Sequence, residues 1–146
     1  MNPDRTTLYI GVALVVVAVL AVIGVALTPT SMGSRIDAIE ADVERLRAAE
    51  LDHFEAFGEA LPAAGAPRAP GSLGPDPVPW SPSEGFRKLA WAPADREAVF
   101  ASYSVTVDGS DFVVVARCDL DGDGVLAEFR ATRREAVVRQ TPTAVR

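Results

Sequence analysis

From Leu8 to Leu27 the chain reads LYIGVALVVVAVLAVIGVAL, twenty residues without a charge. A helix rises about 1.5 Å per residue, so this run matches the roughly 30 Å hydrocarbon core of a bilayer. In lipid every backbone polar group must be bonded within its own segment, which makes a helix the solution despite the β-branched residues. The pattern predicts a transmembrane helix over residues 8–28, preceded by a short tail, 1–7. A cleaved secretory signal with Gly24-Val25-Ala26 near its cleavage point is the alternative. The run exceeds the usual apolar core of about 7 to 15 residues, and the leading MNPDRTT sets only Arg5 against Asp4, which favours a retained anchor.

Pro29 and Gly33 interrupt the helical pattern, and Ser34 followed by Asp37 resembles a capping box. A second, amphipathic helix is expected over 34–61. Its apolar residues Ile36, Ile39, Val43, Leu46, Phe54, Phe57 and Leu61 fall on one stripe at a period of 3.6. A heptad frame begun at Ile36 would bring Glu50 and His53 into the seam, so a sustained coiled coil fails there. The straight stripe instead points Phe54, Phe57 and Leu61 at one fixed surface, such as a sheet of the same chain, and leaves the earlier turns for neighbouring subunits. Glu50 and His53 are expected at solvated edges, with Glu50 gaining importance if that face is buried between subunits.

Seven prolines lie between Pro62 and Pro82. Residues 62–93 are therefore expected to run as an extended loop without regular structure. Trp80, Phe86 and Trp91 within it are expected to pin it to the core.

From Ala98 onward the period switches to two. Val99, Ala101, Tyr103, Val105 and Val107 alternate with Phe100, Ser102, Ser104 and Thr106; Asp108-Gly109-Ser110-Asp111 supplies a hairpin turn; and Phe112 to Cys118 reads as a central strand. Val125 to Thr132 alternates again, with Val125, Ala127, Phe129 and Ala131 opposite Leu126, Glu128, Arg130 and Thr132, and a short strand from Ala136 to Arg139 precedes a tail, 141–146. The fold class is α+β: an N-terminal transmembrane helix, then an amphipathic helix packed on an antiparallel sheet of three to four strands over 98–140.

Between two strands lies Asp119-Leu120-Asp121-Gly122-Asp123-Gly124. Carboxylates at alternate positions with a glycine-closed turn match the first half of an EF-hand-type loop, where oxygens converge on a hard cation. Asp119, Asp121, Asp123 and the carbonyl of Val125 are the candidate ligands and calcium the candidate ion. The twelfth loop position is Arg130 instead of a bidentate Glu, and Glu128 is the only nearby acid, so binding is expected to be weak and useful only where calcium is abundant. A metal-free acidic turn is the other reading.

Composition narrows the classes. The net charge of −6 argues against non-specific nucleic-acid binding, which needs a basic surface to displace counterions. Lys88 is the only lysine, and Arg130, Arg133, Arg134, Arg139 and Arg146 gather near the C-terminus, as a solvated sheet edge would have them. Cys118 is the single cysteine, which excludes an internal disulfide and, on the inward row, reads as a buried inert thiol. One His and one Cys in separate elements, with no Ser/His/Asp grouping and no phosphate loop, argue against an enzyme and against a small-molecule substrate.

Leu51-Asp52-His53-Phe54-Glu55-Ala56-Phe57, Val78-Pro79-Trp80, Gly85-Phe86, Leu89-Ala90-Trp91-Ala92-Pro93, Tyr103-Ser104-Val105 and Cys118-Asp119-Leu120-Asp121-Gly122-Asp123-Gly124, in that order, give residues 35–130 a resemblance to bacterial type IV pilin-like proteins. The resemblance implies a long N-terminal helix, half in the membrane, packed on an antiparallel sheet, and subunits of surface filaments. The match stops at the N-terminus: Met1 to Ile10 has no basic leader ending in Gly before Phe-Thr-Leu, and no carboxylate interrupts Leu8 to Leu27. The expectation is a pilin-type domain on an ordinary anchor, in the bacterial inner membrane, with lipid and other pilin-like or membrane subunits, copies of itself included, as partners. Arg35, Arg45 and Arg47 after the span favour a cytoplasmic C-terminal domain by basic-residue count. The calcium loop and the pilin-like layout favour a periplasmic or extracellular one, which is the orientation expected here. Two function classes stand: a structural or accessory subunit of a pilin-like envelope or surface assembly, and a stand-alone anchored binding or sensing module, calcium-responsive in one form.

Overall fold

A computed structural model describes residues 31–140. The span expected over 8–28 and the tails 1–7 and 141–146 lie outside the described residues. Among the described residues, no helix is long and apolar enough to cross a membrane.

Helix α1, Met32–Phe57, buries Ile39, Asp42, Val43, Leu46 and Glu50, a row spaced by threes and fours as one helical face requires. It starts two residues before the expected Ser34 cap. It ends four residues before Leu61, where the Gly58 N–H donates to the Phe54 carbonyl at 2.8 Å and closes the last turn. Twenty-six residues of helix measure about 39 Å. The longest strand has eight residues and spans about 26 Å. The helix thus outruns its sheet, and the expectation that Phe57 faces a fixed surface fails: it is 71% exposed. Phe54, one turn earlier, is half-buried beneath the Arg133 guanidinium, 3.9 Å from its ring centroid.

Glu50 also departs from expectation. The segment after α1 folds back over it and makes it fully buried, with the Leu61 N–H donating to its Oε2 at 3.0 Å. Burial raises its pKa above the ordinary value, and the Leu61 hydrogen bond works against that shift. Its Oε1 has no hydrogen-bond partner among the described residues.

The sheet is a five-stranded antiparallel meander: β1 Ala63–Ala66, β2 Ser102–Asp108, β3 Asp111–Cys118, β4 Ala127–Thr132 and β5 Val138–Arg139, in that spatial order. β2 and β3 pair from Ser102↔Arg117 to Asp108↔Asp111, so Gly109-Ser110 is the hairpin tip. The period of two places Tyr103, Val105, Phe112, Val114, Ala116, Cys118, Ala127, Phe129 and Ala131 in one core beneath α1, which packs on β3 and β4. β5 is shorter than expected; Ala136 and Val137 belong to the connection before it, where the Val137 N–H donates to the Glu44 carboxylate.

The proline-rich segment carries regular structure after all. β1 supplies a fifth strand, paired through Ala63↔Val105 and Ala66↔Tyr103. Pro62 and Pro67 flank it at the sheet edge, where a missing N–H breaks no ladder. A 3₁₀ turn, Pro70–Ser72, follows, and then a short helix α2, Glu84–Leu89. α2 lies against β1 so closely that a Cβ on Gly85 would sit 2.2 Å from the Pro62 carbonyl oxygen. Val78 and Val99 bond each other in an isolated bridge, and the Trp80 N–H donates to the Arg96 carbonyl at 2.7 Å. Trp80 then meets Phe86, Trp91 and Tyr103 edge-on or tilted, with ring centroids 5.3, 5.6 and 6.3 Å away. The three aromatics of the segment do tie it to the core.

Candidate metal centre

The connection between β3 and β4 opens at Asp119, the first residue after the buried Cys118. Two glycines with positive φ, Gly122 at +76° and Gly124 at +82°, let the backbone coil tightly here, where other residues would be strained. The coil is set by the acids themselves. Asp119, only 7% exposed, accepts the Gly122 N–H on Oδ1 at 2.8 Å and the Gly124 N–H on Oδ2 at 3.1 Å. Asp121 accepts from the Asp123 N–H at 3.4 Å, and Asp123 from the Val125 N–H at 2.7 Å. A proline of the preceding segment backs the turn: a Cβ on Gly122 would stand 3.3 Å from Pro75 Cγ.

One carboxylate oxygen from each of Asp119, Asp121 and Asp123 falls within 4.8 Å of the others, and the latter two groups are exposed. The group could hold a metal ion. Three like charges at that separation repel, and a cation among them removes the repulsion. The Val125 side chain does not share the burial of Ala127, Phe129 and Ala131, with which it alternates in the sequence. It is 59% exposed, and β4 starts at Ala127. Glu128 cannot complete the donor set from where it stands, because its Oε2 accepts from Arg117 Nε at 2.8 Å across the β3–β4 ladder. Arg130, at the twelfth position, is exposed on β4.

Beside the acidic turn, Cys118 is wholly buried and unpaired. Burial pushes its thiol up to about 11, with Arg139 opposing and Asp119 and Asp121 adding to the rise. It is an inert core group at neutral pH. His53 stacks on Phe57 at a centroid distance of 4.5 Å. Cys118 and His53 belong to different elements and make no joint site.

A second concavity was not anticipated from the sequence. Pro79, Trp80, Pro82 and Trp91 wall a cleft of about 460 Å³ that Arg87, Arg96 and Glu97 also line. The signal was the pairing of prolines with tryptophans in one segment, which gives rigid apolar walls. Two of the C-terminal arginines serve the chain's own packing: Arg133 covers Phe54 and donates to the Ser110 carbonyl at 2.8 Å, and Arg139 lies 5.8 Å from the Phe129 ring centroid. No family model, no curated protein and no solved structure matches this chain.

Proposed function

We propose that the chain is a membrane-anchored structural or accessory subunit of a pilin-like assembly in a bacterial envelope or at the cell surface. The observation that carries this reading is the sequence of parts: a charge-free run from Leu8 to Leu27, followed at Met32 by a 26-residue helix that packs on an antiparallel meander. Such a part list suits a scaffold held at a bilayer better than it suits a catalyst. Among the described residues, the single His is stacked on a phenylalanine and the single Cys is buried. The bilayer and other membrane subunits are the proposed partners, and the inner membrane, with the domain on the periplasmic or extracellular side, is the proposed location.

The acidic turn supports a finer statement. Calcium, held by Asp119, Asp121, Asp123 and the Val125 carbonyl with water filling the remaining positions, would stiffen the β3–β4 connection. Dissociation constants of about 0.1 to 1 mM are typical of extracellular calcium modules, which agrees with the proposed side of the membrane. The same turn is what favours the second reading, an anchored calcium-responsive module that never assembles.

Imaging of native complexes extracted in mild detergent tests the two readings. Ordered multimers containing the chain are the expected result, and a uniform monomer in the extract would overturn the subunit reading in favour of the module. A reporter fused after Arg146 should be active outside the cytoplasm. Retention of the chain in membranes through a carbonate wash is expected of an uncleaved anchor, and a mature N-terminus near Leu27 would refute it.

A further inference from the structure

Phe57 stands at the overhanging end of α1, 71% exposed, on a chain whose other described phenylalanines are buried or half-buried. Glu55 and Glu59, both exposed, flank it, and neither is held in an ion pair among the described residues. The cleft described above has the opposite character. Its walls are Pro79, Trp80, Pro82 and Trp91, and its charged lining consists of two exposed arginines, Arg87 and Arg96, against one Glu97. Neither arginine is in an ion pair among the described residues: Glu84, beside Arg87 on α2, is taken by Lys88 at 2.8 Å. The Trp91 indole N–H is buried with no acceptor among the described residues. Phe57 does not line the cleft of its own molecule.

We propose that the cleft receives Phe57 of a second copy of this chain, with Glu55 and Glu59 of that copy set against Arg87 and Arg96. An apolar ring in an aromatic-walled cleft, framed by complementary charges, is the composition of an interface hot spot. The two surfaces are different patches of one molecule, so the contact is heterologous. Each copy that fills a neighbour's cleft leaves its own cleft open, and the contact propagates head to tail. This inference rests on the subunit reading above and supplies it with a contact outside the membrane.

The test uses charge exchange at exposed positions, where folding is undisturbed, in the full-length chain in detergent. One variant carries Glu55→Arg and Glu59→Arg; the other carries Arg87→Glu and Arg96→Glu. Sedimentation should show wild type growing with concentration, each variant alone associating at least tenfold more weakly, and a 1:1 mixture of the two variants growing again as an alternating chain, because each variant's Phe57 end then meets a cleft of opposite charge in the other. A photo-crosslinking phenylalanine analogue at position 57 should capture the segment from Trp80 to Arg96 of an isotopically labelled second chain. A wild type that stays monomeric, variants that associate as wild type does, a mixture that shows no recovery, or crosslinks confined to other segments would each overturn the proposal. Association that persists unchanged in both variants would remove this contact while leaving the subunit reading intact, whereas a monomer in native extracts removes both.

Discussion

The Tyr103 hydroxyl donates to Asp42 Oδ2 at 3.0 Å, a buried bond between the second strand and the middle of α1, 61 residues apart. The same carboxylate accepts the Ala94 N–H at 3.2 Å and is paired with Arg45. Helix, sheet and the end of the proline-rich segment therefore meet at one acid. Burial keeps the Tyr103 hydroxyl protonated far above its usual range, so it donates at every working pH. Tyr103→Phe removes one donor from a carboxylate that retains two others. A hydrogen bond to a charged group is worth about 1.5 to 3 kcal/mol. The melting temperature should fall by roughly 5 to 10 °C, while Asp42→Ala, which orphans the buried Tyr103 hydroxyl and also takes the acceptor from the Ala94 N–H, should cost more. Thermal melts of the two variants check the order.

Glu50 gives the fold a pH dependence of definite sign. Its pKa is raised in the folded chain, mainly by burial. A raised acid binds its proton more tightly when folded. Its contribution to stability is therefore complete below the ordinary value of 4.5 and is lost as pH rises through the folded value. Glu50→Gln keeps an acceptor for the Leu61 N–H and removes the buried charge. The variant should melt higher than wild type at pH 7, with the gain shrinking toward zero as pH is lowered past 4.5. An equal effect at both ends of the titration would mean that the carboxyl is as well solvated in the folded chain as in the unfolded one.

The alternating strands from Ala98 onward were legible because one face of each is covered, and a covered face writes a period of two into the residues. The buried row of α1 was legible for the same reason. β1 was not, since Ala63-Ala64-Gly65-Ala66 carries no apolar contrast and its place depends on pairing with Val105 and Tyr103, some forty residues away. Glu50 and Phe57 were misjudged from their azimuth alone. Which turns of a helix are covered depends on where the sheet ends and on how the next segment returns, and neither is local information. In the acidic turn the spacing of the carboxylates was visible, but the capture of Glu128 by Arg117 was not, because it depends on the register of β3 against β4.

The acidic turn separates scaffold from ligand. Asp119 holds the coil through two backbone N–H groups, whereas Asp121 is exposed and accepts one long bond. Asp119→Asn should lower the melting temperature with or without calcium. Asp121→Asn should leave the calcium-free chain at least as stable as wild type, since it relieves repulsion, and should cancel the calcium-induced rise. At free calcium of about ten times Kd that rise corresponds to about 1.4 kcal/mol. Melting the full-length chain and the two variants with and without millimolar calcium measures all of these, and a wild-type melt indifferent to calcium would reduce the cluster to an acidic turn.

Gly85 offers the sharpest steric test of the fifth strand. A methyl group there would meet the Pro62 carbonyl oxygen at 2.2 Å and Ala63 Cα at 2.7 Å, both backbone atoms that cannot swing aside. Within a helix Gly→Ala ordinarily stabilises by about 1 kcal/mol, because alanine is the better helix former. Here overpacking works against that gain, at a cost of about 1 to 3 kcal/mol or more when backbone must move. The steric effect wins because relief requires α2 to lift from β1, which also pulls Phe86, wholly buried, out of the aromatic cluster. Gly85→Ala should therefore lower the melting temperature and increase amide exchange in Ala63 to Ala66 first. Lys88→Ala, which removes only an exposed ion pair on the same short helix, should leave both nearly unchanged. If Gly85→Ala instead raises the melting temperature, α2 does not press on β1 as described, and the edge strand must be held by its pairing with β2 alone.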